Sequence, residues 1–348
     1  MLKRCCVNMK KTHLEEPLLP AMLDSQVSTQ KANAVIKLML TGAGESGKST
    51  WLKQLRLIYD SSFSESERAY YLSVITGNML KQIQLLLKQF TQIHLDSLEE
   101  NLDHAVNIIL TYKHTLLTKE LVDCVTFLHQ QDLFTNYLKT QQTLDNYTYF
   151  IQNLPRLLEQ LPNNKDILCA RVKTHIETQF SYTSDNVRYV FHDVAGQRDA
   201  RYAWSSRLQE VDCIVFFASL IEFDQFLVED KTKNRMEESL QIYSDLVNSP
   251  VYLRLPVILC LNKIDLLNLK LQFKSFKDFF PDFTGQNSPA EVKQYITNLY
   301  QKANRIGEKI RSVQIFETDA TDTELIGTVC KTVMKFLAQE QMKSIGFM

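Results

Sequence analysis

Two textures divide the chain. From Met79 to Leu138, apolar residues recur at helical spacing. Met79-Leu80, Ile83, Leu85-Leu86-Leu87 and Phe90 fall on one broad face, and Leu98, Leu102, Ala105-Val106 and Ile109-Leu110 form another. Leu121-Val122, Val125, Phe127-Leu128, Leu133-Phe134 and Tyr137-Leu138 continue the pattern. Helix breakers are scarce: no proline lies between Ala21 and Leu154, and Gly77 is the one glycine between Lys48 and Ala195. Such a stretch is expected to be helical. Packing of a helical bundle accounts for these stripes without a ligand.

After Arg171 the pattern changes. Val187–Phe191, Cys213–Phe217, Pro256–Leu261 and Val313–Phe316 read as short buried strands, mostly separated by helical patterns. Val35–Leu40 reads the same way and is followed by Trp51–Ile58 at helical spacing. Strand–helix alternation predicts an α/β fold with a mostly parallel sheet and helices on both faces. The chain is therefore expected to divide into an N-terminal segment (1–32), an α/β domain (33–58 and 171–348), and an all-helical insert (59–170). The insert, about 110 residues, suits a small domain.

The junction between the first strand and the first helix carries the strongest chemical signal. Residues 42–50 read Gly-Ala-Gly-Glu-Ser-Gly-Lys-Ser-Thr, a complete Gly-x4-Gly-Lys-Ser phosphate loop in the strand–loop–helix setting that the motif requires. Its backbone amides (Gly44, Glu45, Ser46, Gly47, Lys48, Ser49, Thr50) can close on phosphates at the positive end of the helix. Lys48 is expected to reach the β- and γ-phosphates, and the Ser49 hydroxyl to hold Mg²⁺.

Three further motifs follow strand ends. In Asp193-Val-Ala-Gly-Gln197, the acid can hold the Mg²⁺ shell, the Gly196 amide can approach the γ-phosphate, and Gln197 can orient an attacking water. In Asn262-Lys-Ile-Asp265, the Asp265 carboxylate can accept from guanine N1–H and N2–H₂, a donor pair adenine lacks. Asn262 can bond N7, and the Lys263 stem can cover the ring. In Thr318-Asp-Ala-Thr-Asp-Thr323, the Ala320 amide can face guanine O6, and the same polar run can cap a helix.

Composition narrows the classes. The 348 residues are 45% hydrophobic and 23% charged, ordinary for a globular protein, and the net charge of −1 argues against general nucleic-acid binding. Seven cysteines without a CxxC pair argue against zinc and a disulfide framework, and fit reduced thiols in the cytosol. No apolar run approaches 18 residues, and no apolar core follows the basic N-terminus, so neither a transmembrane helix nor a secretory signal is expected.

The motif set, with Asp166-Ile-Leu-Cys-Ala-Arg-Val-Lys-Thr174 and the insert, resembles the alpha subunits of heterotrimeric G proteins from about residue 33 onward. The resemblance implies a Ras-like GTPase domain interrupted by a helical domain, and a signalling switch that hydrolyses GTP. It implies that Arg171 is a built-in arginine finger and that Thr174 binds Mg²⁺ alongside Ser49. Asp145 and Asn146 match contacts across the nucleotide cleft, Leu168 and Cys169 match ribose contacts, Glu229-Asp230 match the third switch, and Trp204 matches the tryptophan that reports activation. The implied partners are a Gβγ dimer, a seven-helix G protein-coupled receptor meeting the stretch from Met334 to Met348, an effector, and an RGS-type accelerator. The implied location is peripheral, at the cytoplasmic face of a membrane.

The chain departs from the family pattern at several places. Ala195 precedes Gly196 where Gly is usual, Cys169 stands where Arg is common, and Asp319 stands where Cys is common. Leu2 replaces the glycine that N-myristoylation requires, while Cys5 and Cys6 beside Lys3, Arg4, Lys10 and Lys11 suit palmitoylation. Pro17 and Pro20 interrupt the segment that usually forms a long Gβγ-binding helix. Two other function classes stay open. One is a GTP-binding scaffold with little hydrolysis, against which Arg171 and Gln197 argue. The other is an ATPase or small-molecule kinase, against which Asn262 and Asp265 argue.

Overall fold

The computed structural model describes residues 34–60, 62–94, 99–141, 145–172, 178–194, 204, 208–227, 230–306 and 311–344. Six strands form one sheet in the order β2-β3-β1-β4-β5-β6. They are β1 (Ala34–Gly42), β2 (Thr178–Ser184), β3 (Val187–Asp193), β4 (Cys213–Ser219), β5 (Val257–Asn262) and β6 (Val313–Thr318). All neighbouring pairs are parallel except β2 with β3. The expected α/β architecture is present. β2 is an addition: its alternation buries Phe180 and Tyr182 while Gln179 faces out, a period-two signal in a segment read only for its motif.

Side chains alternate across the sheet, giving it two apolar faces. Leu38, Leu40, Val215, Phe217, Ile258 and Cys260 pack against α1 (Lys48–Tyr59) and the C-terminal helix (Thr323–Ser344). Met39, Phe216 and Leu259 face the other way, toward the helices Arg235–Val247 and Pro289–Ala303. Trp51 is buried on the first face, edge-on to Phe217 at 5.1 Å between ring centroids.

Between α1 and β2 the chain is helical, as its stripes predict. α2 (Glu65–His94), α3 (Glu100–Thr111), α4 (Lys119–His129), α5 (Asp132–Thr140) and α6 (Tyr147–Glu159) enclose a core of their own around Ile83, Phe90, Val106, Val125, Phe134 and Leu154. Gln84 ties α2 to the end of α3, donating to the carbonyls of Ile109 and Tyr112 at 2.9 Å each. A short helix, α7 (Asn164–Cys169), leads back to the sheet. A reciprocal capping box starts it, in which the Asn163 side chain accepts from the Asp166 amide and Asp166 accepts from the Asn163 amide. Tyr149 and Arg156 of α6 also donate to the buried Asp166 carboxylate, which fixes α7 against the helical lobe. Among the described residues, the remaining α-helices are α8 (Arg235–Val247), α9 (Ile264–Lys270), α10 (Pro289–Ala303) and α11 (Thr323–Ser344). Among the described residues, no helix is long and apolar enough to cross a membrane.

Candidate nucleotide-binding cleft

The parallel register aligns the carboxyl ends of β1, β3, β4, β5 and β6 along one sheet edge, where ligands of such folds bind. Leu40 pairs with Asp193, Gly42 with Phe217, Ser219 with Asn262, and Asn262 with Thr318. Each motif found in the sequence leaves the sheet at this edge.

The phosphate loop depends on glycine at two places. Gly42 has φ of 128°, and a Cβ there would stand 2.3 Å from the Phe217 carbonyl oxygen. Gly47, with φ of 110°, would bring a Cβ to 2.1 Å from Asn262 Nδ2. Both combine a left-handed backbone with a close approach that no side chain fits. The Ser46 hydroxyl closes the loop onto the Ala43 carbonyl at 2.9 Å. Lys48 is buried at the start of α1, and its ammonium donates to the carbonyls of Ala43 at 2.7 Å and Gly42 at 3.1 Å.

Asp193 provides the test for a divalent cation. Its carboxylate is 1% exposed, Oδ2 accepts from the Ser49 hydroxyl at 2.6 Å, and Oδ1 meets no hydrogen-bond partner among the described residues. Burial pushes its pKa upward, against the opposing pull of Lys48 and the Ser49 hydrogen bond. A buried carboxylate oxygen without a partner, next to the motif serine, fits Mg²⁺. Thr174, Gly196 and Gln197 lie outside the described residues, as do Glu229, Cys5 and Cys6.

Asn262 has a larger role than base contact. It is 1% exposed; its Nδ2 donates to the Ser46 carbonyl at 2.8 Å, and its Oδ1 accepts from Ala320 N at 3.0 Å and Thr318 Oγ1 at 3.1 Å. One Nδ2 hydrogen remains for a base nitrogen. The Ala320 amide, expected to face guanine O6, donates to Asn262 Oδ1 in this structure. Asp322 caps α11 by accepting from the Leu325 amide at 3.0 Å, as the polar run allowed. Asp265 is exposed in the first turn of α9. Although the residue as a whole is exposed, partial desolvation of its carboxylate and the nearby Asp319 carboxylate both push its pKa up. Lys263 sits at φ of 69° and pairs with Asp145 across the cleft at 2.5 Å. Burial alone would lower the Lys263 pKa, but Asp145 and Glu222 outweigh it and hold the ammonium above its usual value.

Arg171 reaches the phosphate loop from the other side. Its guanidinium pairs with Glu45, which also meets Arg235 Nη1 at 3.5 Å. Arg235 in turn donates to the Gly44 carbonyl at 2.8 Å and to the buried Glu222 at 2.7 Å. The carbonyls leading to Arg171 are held as well. Leu168 is buried and accepts from Thr50, Cys169 accepts from Asn146 Nδ2 at 2.6 Å, and Arg171 accepts from Asn78 Nδ2 at 2.5 Å. Lys53 donates to the carbonyls of Ile167 at 2.9 Å and Ala170 at 2.8 Å. Burial draws the Lys53 pKa down to about 7 and pushes the Cys169 thiol up to about 11. Lys165 closes the cleft further on, donating to Thr321 Oγ1 at 2.6 Å. Trp204 is buried in the apolar cluster that also holds Val194 and Leu208.

Glu222, Arg235, Lys53, Asn78 and Lys165 were not singled out from the sequence. Glu222 follows β4 closely, and an acid just beyond a strand end is the signal that marked Asp193. The other four read as ordinary polar positions on helices.

The sequence profile of G-protein alpha subunits matches residues 19–337. Among curated proteins, the guanine nucleotide-binding protein subunit alpha of Pyricularia oryzae is 31% identical over 321 residues, covering 89% of this chain and 90% of its own. The alpha-1 subunit of Neurospora crassa is 31% identical over 320 residues with the same coverage, and that of Mycosarcoma maydis is 32% identical over 323, covering 90% and 91%. With the phosphate loop, the Mg²⁺-suited carboxylate and the base-side motif converging at one sheet edge, the chain belongs to the G-protein alpha subunit family, as a guanine-nucleotide-binding signalling subunit.

Proposed function

We propose that this subunit hydrolyses GTP to GDP and phosphate and switches its loops with the γ-phosphate. The observation that carries this reading is the ion pair between Arg171 and Glu45, which lie 126 positions apart, because it brings a permanent cation to the phosphate loop. Lys48 and the loop amides bind the β- and γ-phosphates, and Asp265 with Asn262 selects guanine. In the hydrolytic step, Arg171 exchanges Glu45 for phosphoryl oxygens and stabilises the charge that builds there, the role arginine fingers have in this family. Gln197 orients the attacking water. Ser49 and Thr174, with Asp193 beside them, would hold Mg²⁺, which would supply neutralisation of phosphate charge.

The proposal extends to the partners of this family: a Gβγ dimer, a seven-helix receptor, an effector and an RGS-type accelerator. Membership of the family supports them. Peripheral attachment to the cytoplasmic face of a membrane through Cys5 and Cys6 is supported by the neighbouring basic residues Lys3, Arg4, Lys10 and Lys11.

Single-turnover hydrolysis by the Mg²⁺-loaded chain, followed by phosphate release and Trp204 fluorescence together, tests the reading. Arg171→Cys and Gln197→Leu are expected to slow phosphate release with little loss of GTP binding. For Arg171→Cys the expected factor is about a thousand, the scale known for arginine fingers. Parent-like rates in both variants would remove the catalytic assignment. Tight binding without phosphate release by the parent chain would favour a GTP-bound scaffold.

A further inference from the structure

Five consecutive main-chain carbonyls, from Ile167 to Arg171, each accept a hydrogen bond from a side chain. Lys53 holds the first and fourth, Thr50 the second, Asn146 the third and Asn78 the fifth. Thr50 and Lys53 lie on α1, directly behind the phosphate loop. Asn78 lies on α2 and Asn146 at the start of α6, so the helical lobe supplies the other two donors. Asn146 is the N-cap residue of α6, but its side chain makes no capping bond to that helix. Lys53 is the only amine among the four donors, and it bridges the last turn of α7 to Ala170. Its ammonium also sits 5.0 Å from the centroid of the Tyr71 ring on α2, so the same cation touches both lobes.

We propose that Lys53 and Asn78 are positioning residues for GTP hydrolysis: by gripping the main chain of 167–171, they set where the Arg171 guanidinium meets the transferring phosphoryl group. The inference rests on the reading of Arg171 as catalytic. The guanidinium lies at the end of a flexible side chain, so its reach is set by the main chain at 171. Asn78 holds that residue's own carbonyl and Lys53 holds the carbonyl before it. An arm held from both lobes delivers Arg171 to the phosphate loop only while the helical lobe is in place. Loss of the grip would leave phosphate-loop binding intact while spreading the guanidinium over unproductive positions.

The test is single-turnover GTP hydrolysis by the full chain with Mg²⁺, which is insensitive to the rate of GDP release. Lys53→Met keeps the length of the stem and removes the ammonium. Phosphate release is expected to slow about tenfold or more, the usual scale for losing charge-assisted bonds, with GTP affinity within about threefold of the parent. Lys53→Arg is expected to recover most of the rate. Asn78→Leu is expected to slow the step on its own, which preserves the test should Lys53→Met fail to fold. In an Arg171→Cys background, Lys53→Met and Asn78→Leu should slow hydrolysis no further, since nothing remains to be positioned. Full-speed hydrolysis by Lys53→Met and Asn78→Leu overturns the inference. So does an undiminished effect of either variant in the Arg171→Cys background, which would mark it as structural damage. A parent-like rate for Arg171→Cys would instead remove the catalytic reading itself, so the two failures are distinguishable.

Discussion

Replacing Asn262 by alanine removes three hydrogen bonds at one buried position. The donor to the Ser46 carbonyl is lost, and the Ala320 amide and Thr318 hydroxyl lose their acceptor. All three partner residues are buried, Ala320 at 4% exposure and Ser46 and Thr318 at 0%. A neutral hydrogen bond contributes about 1 kcal/mol net, and an unpaired buried group costs about 1–3 kcal/mol. The truncated side chain leaves room for a water to rescue part of this. The expected loss is therefore about 3 kcal/mol, or about two orders of magnitude in an equilibrium constant. Because the bonds tie the phosphate loop to both base-side loops, the loss should appear twice: as a lower urea midpoint of the GDP-bound chain and as faster dissociation of a fluorescent GDP analogue. Thr318→Ala removes one bond and should cost about 1 kcal/mol. Asn262→Asp retains the acceptor at Oδ1 but turns a second oxygen toward the Ser46 carbonyl. It should be at least as damaging as alanine at neutral pH, and recover as the pH falls and the protonated acid regains a donor. An Asn262→Ala chain within about 0.5 kcal/mol of the parent, releasing GDP at the parent rate, would refute the stitching role.

Two further outcomes follow from the same geometry. Asp265 must be ionised to accept two guanine donors, and its pKa is raised by partial desolvation and by Asp319, so GDP affinity should fall on acidification at a pH above the ordinary Asp value of about 4. The unliganded fold moves the other way, since a raised carboxylate pKa means stability is gained as the pH drops through it. Asp319→Asn should shift the loss of GDP affinity to lower pH in a binding titration; an unmoved profile would count against the Asp319 contribution. Gly77 lies within α2, where an added Cβ would meet nothing within 4 Å. Gly77→Ala should therefore stabilise the chain by about 1 kcal/mol, read as a higher melting temperature, and a lower one would contradict a regular helix at that position.

The helical lobe and the parallel strands were legible because each rests on local periodicity, which a single sequence displays. The phosphate loop, Asp193 and Asp265 were legible because their chemistry demands fixed residue types at fixed spacing beside a strand. β2 was less legible because it is a seven-residue edge strand of mostly polar residues, in which only Phe180 and Tyr182 carry the alternation. Asn262 was recognised as a base-side residue, but its bond to Ser46 spans 216 positions, and no local pattern encodes a partner at that distance. Lys53 was hidden for a related reason. A lysine on a helix that also buries Trp51 and Leu55 reads as the solvent-facing side of an amphipathic pattern, and only the return of α7 makes it a clamp. Arg235 and Glu222 likewise acquire meaning only when α8 and the end of β4 meet at the phosphate loop.

The cradle around 167–171 grips carbonyl oxygens and ignores the side chains that it carries. Every residue type presents the same carbonyl, so the bonds themselves place no demand on the side chain at each position. Cys169 is such a case: its thiol takes no part in the bond, and its carbonyl is held by Asn146 at 2.6 Å. The demands on the arm therefore fall on four donors lying elsewhere in the chain, on Arg171 itself and on the packing of the buried Ile167, Leu168 and Ala170, which leaves Cys169 as the least constrained side chain of the arm.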